Sequence, residues 1–260
     1  MTTADAPAQL SDVDLQKVLE LTSQADSVEL KLTISEDATQ SAATALSIDP
    51  LDAYIRQVYF FDTPDLTLYK AGLVVRARRS QDRPDDSVVK LRPVEPSELP
   101  EKLRKTDGFG VEVDAMPGGY VCSASFKGEL RAGHVRDAVM GRRPIHKLYS
   151  KGQRELFDSR SPEGIGLDDL SILGPINVIK LKFLPEGYPR KMVVELWFYP
   201  DGSRIIELST KCAPSEAFQV AAETRGFLAG KGVDLFGKQE TKTRTALDFF
   251  STSLREQRQP

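Results

Sequence analysis

The chain has 260 residues, 40% hydrophobic and 28% charged, which is typical of a globular protein and not of a disordered or fibrous one. This length can hold one large domain or two small ones, with a sizeable core. The formal net charge of −3 argues against a general nucleic-acid coat protein, which would carry a basic excess, so we expect no nucleic-acid partner.

Cysteine usage and the N-terminal sequence bear on where the protein works. The only cysteines are Cys122 and Cys212, and no C-x-x-C spacing is present, so a disulfide framework or a cysteine zinc site is not expected. The start, MTTADAPAQLSDVD, has neither the basic residues nor the apolar run of a signal peptide, and no window has the length of a membrane span. We therefore expect a cytoplasmic protein without a membrane partner. The sequence leaves its oligomeric state open.

The first half of the chain predicts an extension followed by strands. Residues 1–26 are predicted to be an N-terminal extension with a helix over Val13–Leu21, and the folded domain is placed at 27–255. Strand signals then alternate with short connections. The predicted strands in this half are 27–34, QVYFFDT at 57–63, 73–79, 87–92 and 110–115, and a helix is predicted over 37–46. The polar turn RPDD makes 73–79 and 87–92 a hairpin.

The second half adds three strands and more helices. The mixed stretch 120–157 predicts a helix from about Gly128 to Met140. NVIKLKF, MVVELWF and RIIELST are predicted strands, and the last two are joined by the tight turn YPDGS. SEAFQVAAETRGFLAGKG and TKTRTALDFF are predicted helices. Roughly eight antiparallel strands with interspersed helices fit either a barrel covered by helices or a flat sheet covered on one side.

Charged residues recur two positions apart in the predicted strands, so that members of a pair share one face. These positions are Glu29/Lys31, Arg76/Arg78, Lys90/Arg92, Glu112/Asp114, Lys180/Lys182, Glu195 and Glu207/Ser209. Apolar residues occupy the alternate positions. Alternation alone favours an ordinary sheet with its charges in water. The same-sign pairing on several strands favours the other orientation, in which a charged face encloses a polyanion and its metal ions.

Several segments resemble, in order, those of the CYTH-domain proteins, the triphosphate tunnel metalloenzyme family. They are SVELKL, YFFDTPDLTLYKAGLVVRARR, SVVKLR, FGVEVD, KGQRELF, RIIELSTK and ETKTRTAL, and the resemblance spans about residues 27–250. It implies an α+β fold in which an eight-stranded antiparallel closed β-barrel forms a tunnel with a charged lumen, with helices packed on the outside. It also implies that lumen Arg and Lys residues bind a triphosphate while carboxylates hold Mg²⁺ or Mn²⁺.

The resemblance and the strand pattern together nominate the site residues. Guanidinium and ammonium groups suit phosphate oxygens, so the predicted substrate-binding residues are Arg76, Arg78, Lys90, Arg92, Lys180 and Lys182. The resemblance implies catalytic roles beside the leaving or terminal phosphate for Lys31, Arg154 and Lys242. The implied metal ligands are Glu29, Glu112, Asp114, Glu207 and Glu195. The alternative for the carboxylates is an internal ion-pair network that only supports the barrel.

Two positions depart from the family pattern. Ser27 stands at the first glutamate of the family's E-x-E-x-K motif, and Ser209 replaces the second glutamate of its late E-x-E. A site for two metal ions is therefore in question. The expected function is metal-dependent hydrolysis of inorganic tripolyphosphate or of a nucleoside or thiamine triphosphate. The alternatives are an adenylyl cyclase that makes cyclic AMP from ATP, and a non-catalytic module that binds polyphosphate or a nucleotide.

Overall fold

The computed structural model describes residues 12–233 and 242–256 of the chain. Its strands are β1 Ser27–Ile34, β2 Tyr54–Asp62, β3 Leu73–Ser80, β4 Asp85–Leu91, β5 Phe109–Met116, β6 Gly119–Leu130, β7 Ser171–Phe183, β8 Met192–Phe198 and β9 Arg204–Cys212. Its α-helices are α1 Asp12–Ser23, α2 Thr39–Ala45, α3 Thr67–Lys70, α4 Glu101–Arg104, α5 His134–Val139, α6 Lys151–Asp158, α7 Ala217–Gly230 and α8 Lys242–Glu256. None of these helices combines the length and the apolar character that a bilayer span requires.

All nine described strands form one closed barrel, in the order β1-β5-β6-β4-β3-β2-β7-β8-β9 and back to β1. Neighbours are antiparallel except β1 and β5, which are parallel. Strand directions can alternate around a closed ring only when the number of strands is even, so nine strands require at least one parallel pair. The prediction of a closed barrel in an α+β fold is confirmed. The predicted count of eight and the fully antiparallel pairing are wrong.

The additional strand is β6, which lies between β5 and β4. Its residues belong to the stretch for which the sequence predicted only a helix from Gly128 to Met140. That prediction is wrong, because β6 continues to Leu130 and the helix α5 covers only His134–Val139. The strand signal is weak since Cys122 and Ala124 on one face are small, and serines occupy alternate positions on the other. Alternation of small residues carries little contrast in polarity.

Apolar strand residues face the helices outside the barrel. Val75, Ala77, Val89 and Val111 are buried in a core cluster that also contains residues of α5, α6 and α7. Because side chains alternate along a strand, burial of these residues on the outside turns the charged residues between them toward the barrel interior. A second cluster joins β2 and β7 to α8 on the interior side, since its members Val58, Val178 and Trp197 line the barrel cavity.

The segment that follows β2 is a tight turn that positions β3. The buried carboxylate of Asp62 accepts hydrogen bonds from the backbone N–H groups of Thr63, Leu68 and Tyr69, at 2.7–2.9 Å. Farther along, Gly72 has φ of +76°, and a Cβ there would lie 3.1 Å from the Arg92 carbonyl oxygen. The Arg92 N–H donates to the Gly72 carbonyl at 2.8 Å. This close approach fixes the backbone of Arg92 at the end of β4.

A buried glutamine attaches α6 to the barrel wall. Gln153 is fully buried, and its Nε2 donates to the Ser87 and Phe126 carbonyl oxygens at 3.2 and 3.0 Å. Its Oε1 accepts from the Ser150 backbone N–H at 2.8 Å, which completes a capping box at the start of the helix. Gln153 therefore satisfies polar groups on both the helix and the strands.

We predict that Gln153→Leu lowers the free energy of unfolding by about 2 kcal/mol, because two buried strand carbonyls lose a donor. Urea unfolding of the purified protein measures this change. The control is Glu155→Gln on the exposed face of the same helix, where we expect a change within about 0.5 kcal/mol. Equal stability of the Gln153→Leu variant and the wild type would contradict this role.

Candidate functional site

The barrel encloses a cavity of about 1150 Å³. The described residues that line it include thirteen Lys or Arg and four Glu. The basic residues are Lys31, Arg56, Lys70, Arg76, Arg78, Lys90, Arg92, Lys127, Lys180, Lys182, Lys191, Lys211 and Lys242, and the acidic ones are Glu29, Glu112, Glu195 and Glu207. The lumen is thus strongly cationic although the whole chain has a net charge of −3. A concave surface of one sign concentrates ligands of the opposite sign.

Arg76 on β3 is a buried cation with an unsatisfied donor. Its Nε is buried and has no hydrogen-bond partner among the described residues. Burial, reinforced by the nearby positive charge of Arg78, lowers the pKa of Arg76 to about 10. The neighbouring Arg78 is paired, since its Nε donates to Asp86 at 2.7 Å. An anion in the lumen would supply the partner that Arg76 lacks.

Asp114 on β5 lies fully buried among three cations. Its Oδ1 is 2.8 Å from the Lys31 ammonium, and its Oδ2 is 3.0 Å from Arg92 and 3.8 Å from Lys90. Burial alone would raise the pKa of Asp114, but Lys90, Lys31 and Arg92 outweigh it and hold the pKa at about 2. Burial lowers the pKa of Lys90 to about 8, and Asp114 opposes that shift. The carboxylate therefore keeps its charge and holds the surrounding basic groups in place.

Three carboxylates converge at the β1–β5 pair. Ligand oxygens of Glu29, Glu112 and Asp114 lie within 4.8 Å of one another. Both Asp114 oxygens are buried and, despite their close cations, have no hydrogen bond of acceptable geometry among the described residues. Carboxylate oxygens are the ligands that Mg²⁺ and Mn²⁺ prefer. This set of three carboxylates fits a divalent ion.

A second charged group lies at β8 and β9. Lys242, at the start of α8, lies 2.5 Å from Glu195 Oε2 and 2.8 Å from Glu207 Oε1. Lys180 lies 2.5 Å from Glu195 Oε1. Burial would raise the pKa of Glu195, but Lys242 and Lys180 hold it well below its ordinary value.

All but one of the residues nominated from the sequence meet in or against this cavity. The residues that line it are Lys31, Lys242, Arg76, Arg78, Lys90, Arg92, Lys180, Lys182, Glu29, Glu112, Glu195 and Glu207. Asp114 lies behind the lining residues and contacts Lys31 and Arg92. Of the five nominated metal ligands, the structure groups Glu29, Glu112 and Asp114 but pairs Glu195 and Glu207 with lysine.

The structure does not bring Arg154 to the cavity. Its guanidinium donates to the Tyr149 carbonyl oxygen at 2.7 Å, at the outer helix α6. The helix turns Gln153 toward the barrel wall, and the adjacent residue consequently points elsewhere. The expected catalytic role of Arg154 therefore has no geometric support in this structure.

Several lumen cations escaped the sequence analysis, namely Arg56, Lys70, Lys127, Lys191 and Lys211. Arg56 has Tyr54 and Val58 as its neighbours on the same face of β2, so no paired charge marked it. Lys127 lies in the strand that was not predicted. Lys191 lies four residues before Glu195, and Lys211 lies two residues after Ser209, so each continues the two-residue pattern of a nominated position. Extending this pattern beyond the predicted strand ends would have identified both lysines.

The two serines at family glutamate positions lie beside the carboxylates. Ser27 Oγ donates to Glu112 Oε2 at 3.4 Å, and Lys211 approaches the same oxygen at 2.5 Å. Ser209 is buried and lies opposite Lys31 in the β1–β9 register. Neutral side chains thus take the places where additional carboxylates would have offset more of the positive charge.

Solved structures share this fold. A candidate adenylyl cyclase from Hippeastrum, described as revealing a dominant triphosphatase activity, is 18% identical, with a TM-score of 0.63 over 85% of this chain and 95% of its own. A candidate adenylate cyclase from Bacillus halodurans is 14% identical, with a TM-score of 0.58 over 85% of this chain and 97% of its own. No family model matches the sequence, and no curated protein does. At these identities the likeness establishes the fold.

We predict that Asp114→Asn lowers the free energy of unfolding at neutral pH by about 2 kcal/mol, measured in urea with EDTA present. The folded-state pKa lies below the ordinary value of 3.8, so the ionised carboxylate stabilises the fold fully above that pH. Its contribution disappears as the pH falls from 3.8 to about 2, and the two proteins should converge there. A difference that does not change with pH would contradict this account, and exposed Asp107→Asn is the control.

Proposed function

The chain has the fold of the CYTH-type triphosphate tunnel proteins, and from this premise we propose that it hydrolyses a triphosphate with the aid of a divalent cation. The observation that carries the proposal is the enclosed cavity, which thirteen basic and four acidic residues of the described chain line. Within residues 12–233 and 242–256, the Nε of the buried Arg76 has no hydrogen-bond partner. Burying uncompensated cations is costly for a protein, so a built anion site accounts for an arrangement that stability alone would disfavour.

The β3–β4 hairpin supplies the main phosphate contacts in this proposal. Arg76 and Arg78 present guanidinium groups, which donate in a planar fork to phosphate oxygens. Lys90 and Arg92 extend the same positive surface along β4 and are held by Asp114. A triphosphate lying across this wall would exchange its hydration for charge-assisted hydrogen bonds from fixed donors.

The carboxylates Glu29, Glu112 and Asp114 would hold Mg²⁺ or Mn²⁺. Such an ion supplies charge neutralisation at phosphate oxygens and lowers the pKa of water. Lys31 lies between Glu29 and Asp114, at 3.1 and 2.8 Å, and can shift toward a phosphate oxygen when these carboxylates gain another cation. The protein thereby matches its negative groups to the ion and its positive groups to the substrate.

Hydrolysis would proceed by attack of water on the terminal phosphorus. A new P–O bond forms to the water oxygen, the bond to the bridging oxygen breaks, and the displaced proton passes to solvent. The residues contribute by position and charge, because Lys31 and the arginines stabilise the negative charge that accumulates on the leaving oxygen. No covalent intermediate with the protein is required.

The substrate is identified by comparing phosphate release from inorganic tripolyphosphate, ATP, GTP and thiamine triphosphate, with Mg²⁺ and then with Mn²⁺. Separating the products of ATP distinguishes hydrolysis from cyclisation, since a cyclase yields cyclic AMP and diphosphate. Binding of tripolyphosphate without metal-dependent phosphate release would instead support the non-catalytic module.

We predict that Arg76→Met lowers kcat/KM for the preferred triphosphate roughly hundredfold, about 2.7 kcal/mol, because a preorganised donor is lost. The matched control is Arg79→Met on the same strand, since Arg79 faces outward and donates to Gln57 at 2.9 Å. We expect the control to retain activity within about twofold. Equal losses in both variants would show that the lumen position has no special role.

We also predict that EDTA abolishes phosphate release and that Glu112→Gln raises the Mg²⁺ concentration for half-maximal activity, on the order of 10- to 100-fold. The neutral amide is a weaker ligand than a carboxylate. Glu129→Gln, on an exposed part of β6, serves as the control and should leave this concentration unchanged. Full activity in EDTA would contradict the metal-dependent proposal.

A further inference from the structure

We propose that the ammonium group of Lys242 is a built-in cation that occupies the position between Glu195 and Glu207, so that the tunnel takes a single divalent ion. That ion binds at the group formed by Glu29, Glu112 and Asp114. The inference rests on the metal-dependent part of the proposed function and adds the number of ions and their place.

Contacts on both sides hold the Lys242 ammonium where a metal ion would sit between two carboxylates. It lies 2.5 Å from Glu195 Oε2 and 2.8 Å from Glu207 Oε1, and 5.0 Å from the centroid of the Trp197 ring.

The helix that carries Lys242 is firmly attached to the barrel. Ala246 and Leu247 of α8 are buried in the cluster with β2 and β7. Ser251 Oγ donates to the Pro64 carbonyl at 2.7 Å, and the Tyr199 hydroxyl donates to the Lys242 carbonyl at 3.2 Å. These contacts fix the backbone of α8, so the Lys242 ammonium reaches Glu195 and Glu207 without any rearrangement of the helix.

Both oxygens of Glu195 are already engaged by other groups of the chain. Lys180 pairs with Oε1 at 2.5 Å, while Lys242 and the Trp197 indole N–H, at 3.1 Å, both lie against Oε2. A metal ion would have to break two ion pairs in a buried site to bind there. Breaking a buried pair costs about 3–5 kcal/mol when one partner is left uncompensated.

The other carboxylate group differs in its ligands. Glu29, Glu112 and Asp114 bring three carboxylates within 4.8 Å of one another, and Lys31 lies 3.1 Å from Glu29 and 2.8 Å from Asp114. Among the described residues, no third His, Cys, Asp or Glu joins Glu195 and Glu207 in such a group. Ser209 stands on β9 beside Glu207, where a carboxylate would have supplied one more ligand. The two groups are thus unequal, because the first has three carboxylates and the second has two.

The test is a titration of the purified protein with Mn²⁺ alone, followed by electron paramagnetic resonance of the free ion, which gives the number of bound ions. We expect one bound Mn²⁺ for the wild type and two for Lys242→Met, in which Glu195 and Glu207 lose their shared cation. Lys242→Arg keeps the positive charge and should bind one. Anomalous diffraction from crystals soaked in Mn²⁺ locates each ion.

The control is Lys182→Met, which removes the same charge from the same lumen at a different position. It should bind one Mn²⁺, so a second ion in this variant would show a general effect of charge and overturn the inference. Two ions in the wild type would overturn it whether or not Lys242→Met folds, as would one ion in a folded Lys242→Met. In these cases the proposed function stands. No bound ion in the wild type would overturn both the inference and the metal-dependent proposal.

Discussion

Compensation of buried charge is the constraint on which this structure depends. The closed barrel places thirteen basic residues around one cavity, and isolated charges in such a place lose much of their hydration. The protein stabilises part of this charge with a few carboxylates, and two of them are shared between cations. Asp114 serves Lys31, Lys90 and Arg92, while Glu195 serves Lys180 and Lys242. Other lumen cations, among them Arg76, Lys182 and Lys191, have no carboxylate partner among the residues that the structure describes, which is what a polyanion site requires.

The sequence supported much of this arrangement. Alternation in β3, β4 and β5 correctly assigned which side chains share a face, because the two-residue period of a strand survives any error in strand ends. The orientation of that face could not be read from alternation, since an exposed charged face and a lumen give the same pattern. The resemblance to tunnel proteins predicted that the charged face lies inside a closed barrel, and the structure has a closed barrel with these residues around its cavity.

Local sequence patterns did not predict the strand pairing of β1 or the positions of Lys127 and Arg154. The parallel pair of β1 and β5 follows from closing a ring of nine strands. Because β6 was not predicted, the expected number of strands was eight, which requires no parallel pair. Lys127 was lost with that strand. Arg154 was predicted to be catalytic because its segment matches a family motif. The structure instead places Arg154 on the outer helix α6, and its neighbour Gln153 is the residue that contacts the barrel wall. Asp62, in the resembling segment YFFDTPDLTLYKAGLVVRARR, accepts backbone hydrogen bonds in a turn.

The central claim is that the lumen binds a chain of phosphates, and a crystal structure determined with inorganic tripolyphosphate tests it most directly. We expect the phosphates inside the barrel, with an oxygen at hydrogen-bond distance from the Arg76 Nε, which lacks a partner among the described residues. A lumen without tripolyphosphate, and an anion bound instead on the outer surface, would contradict it.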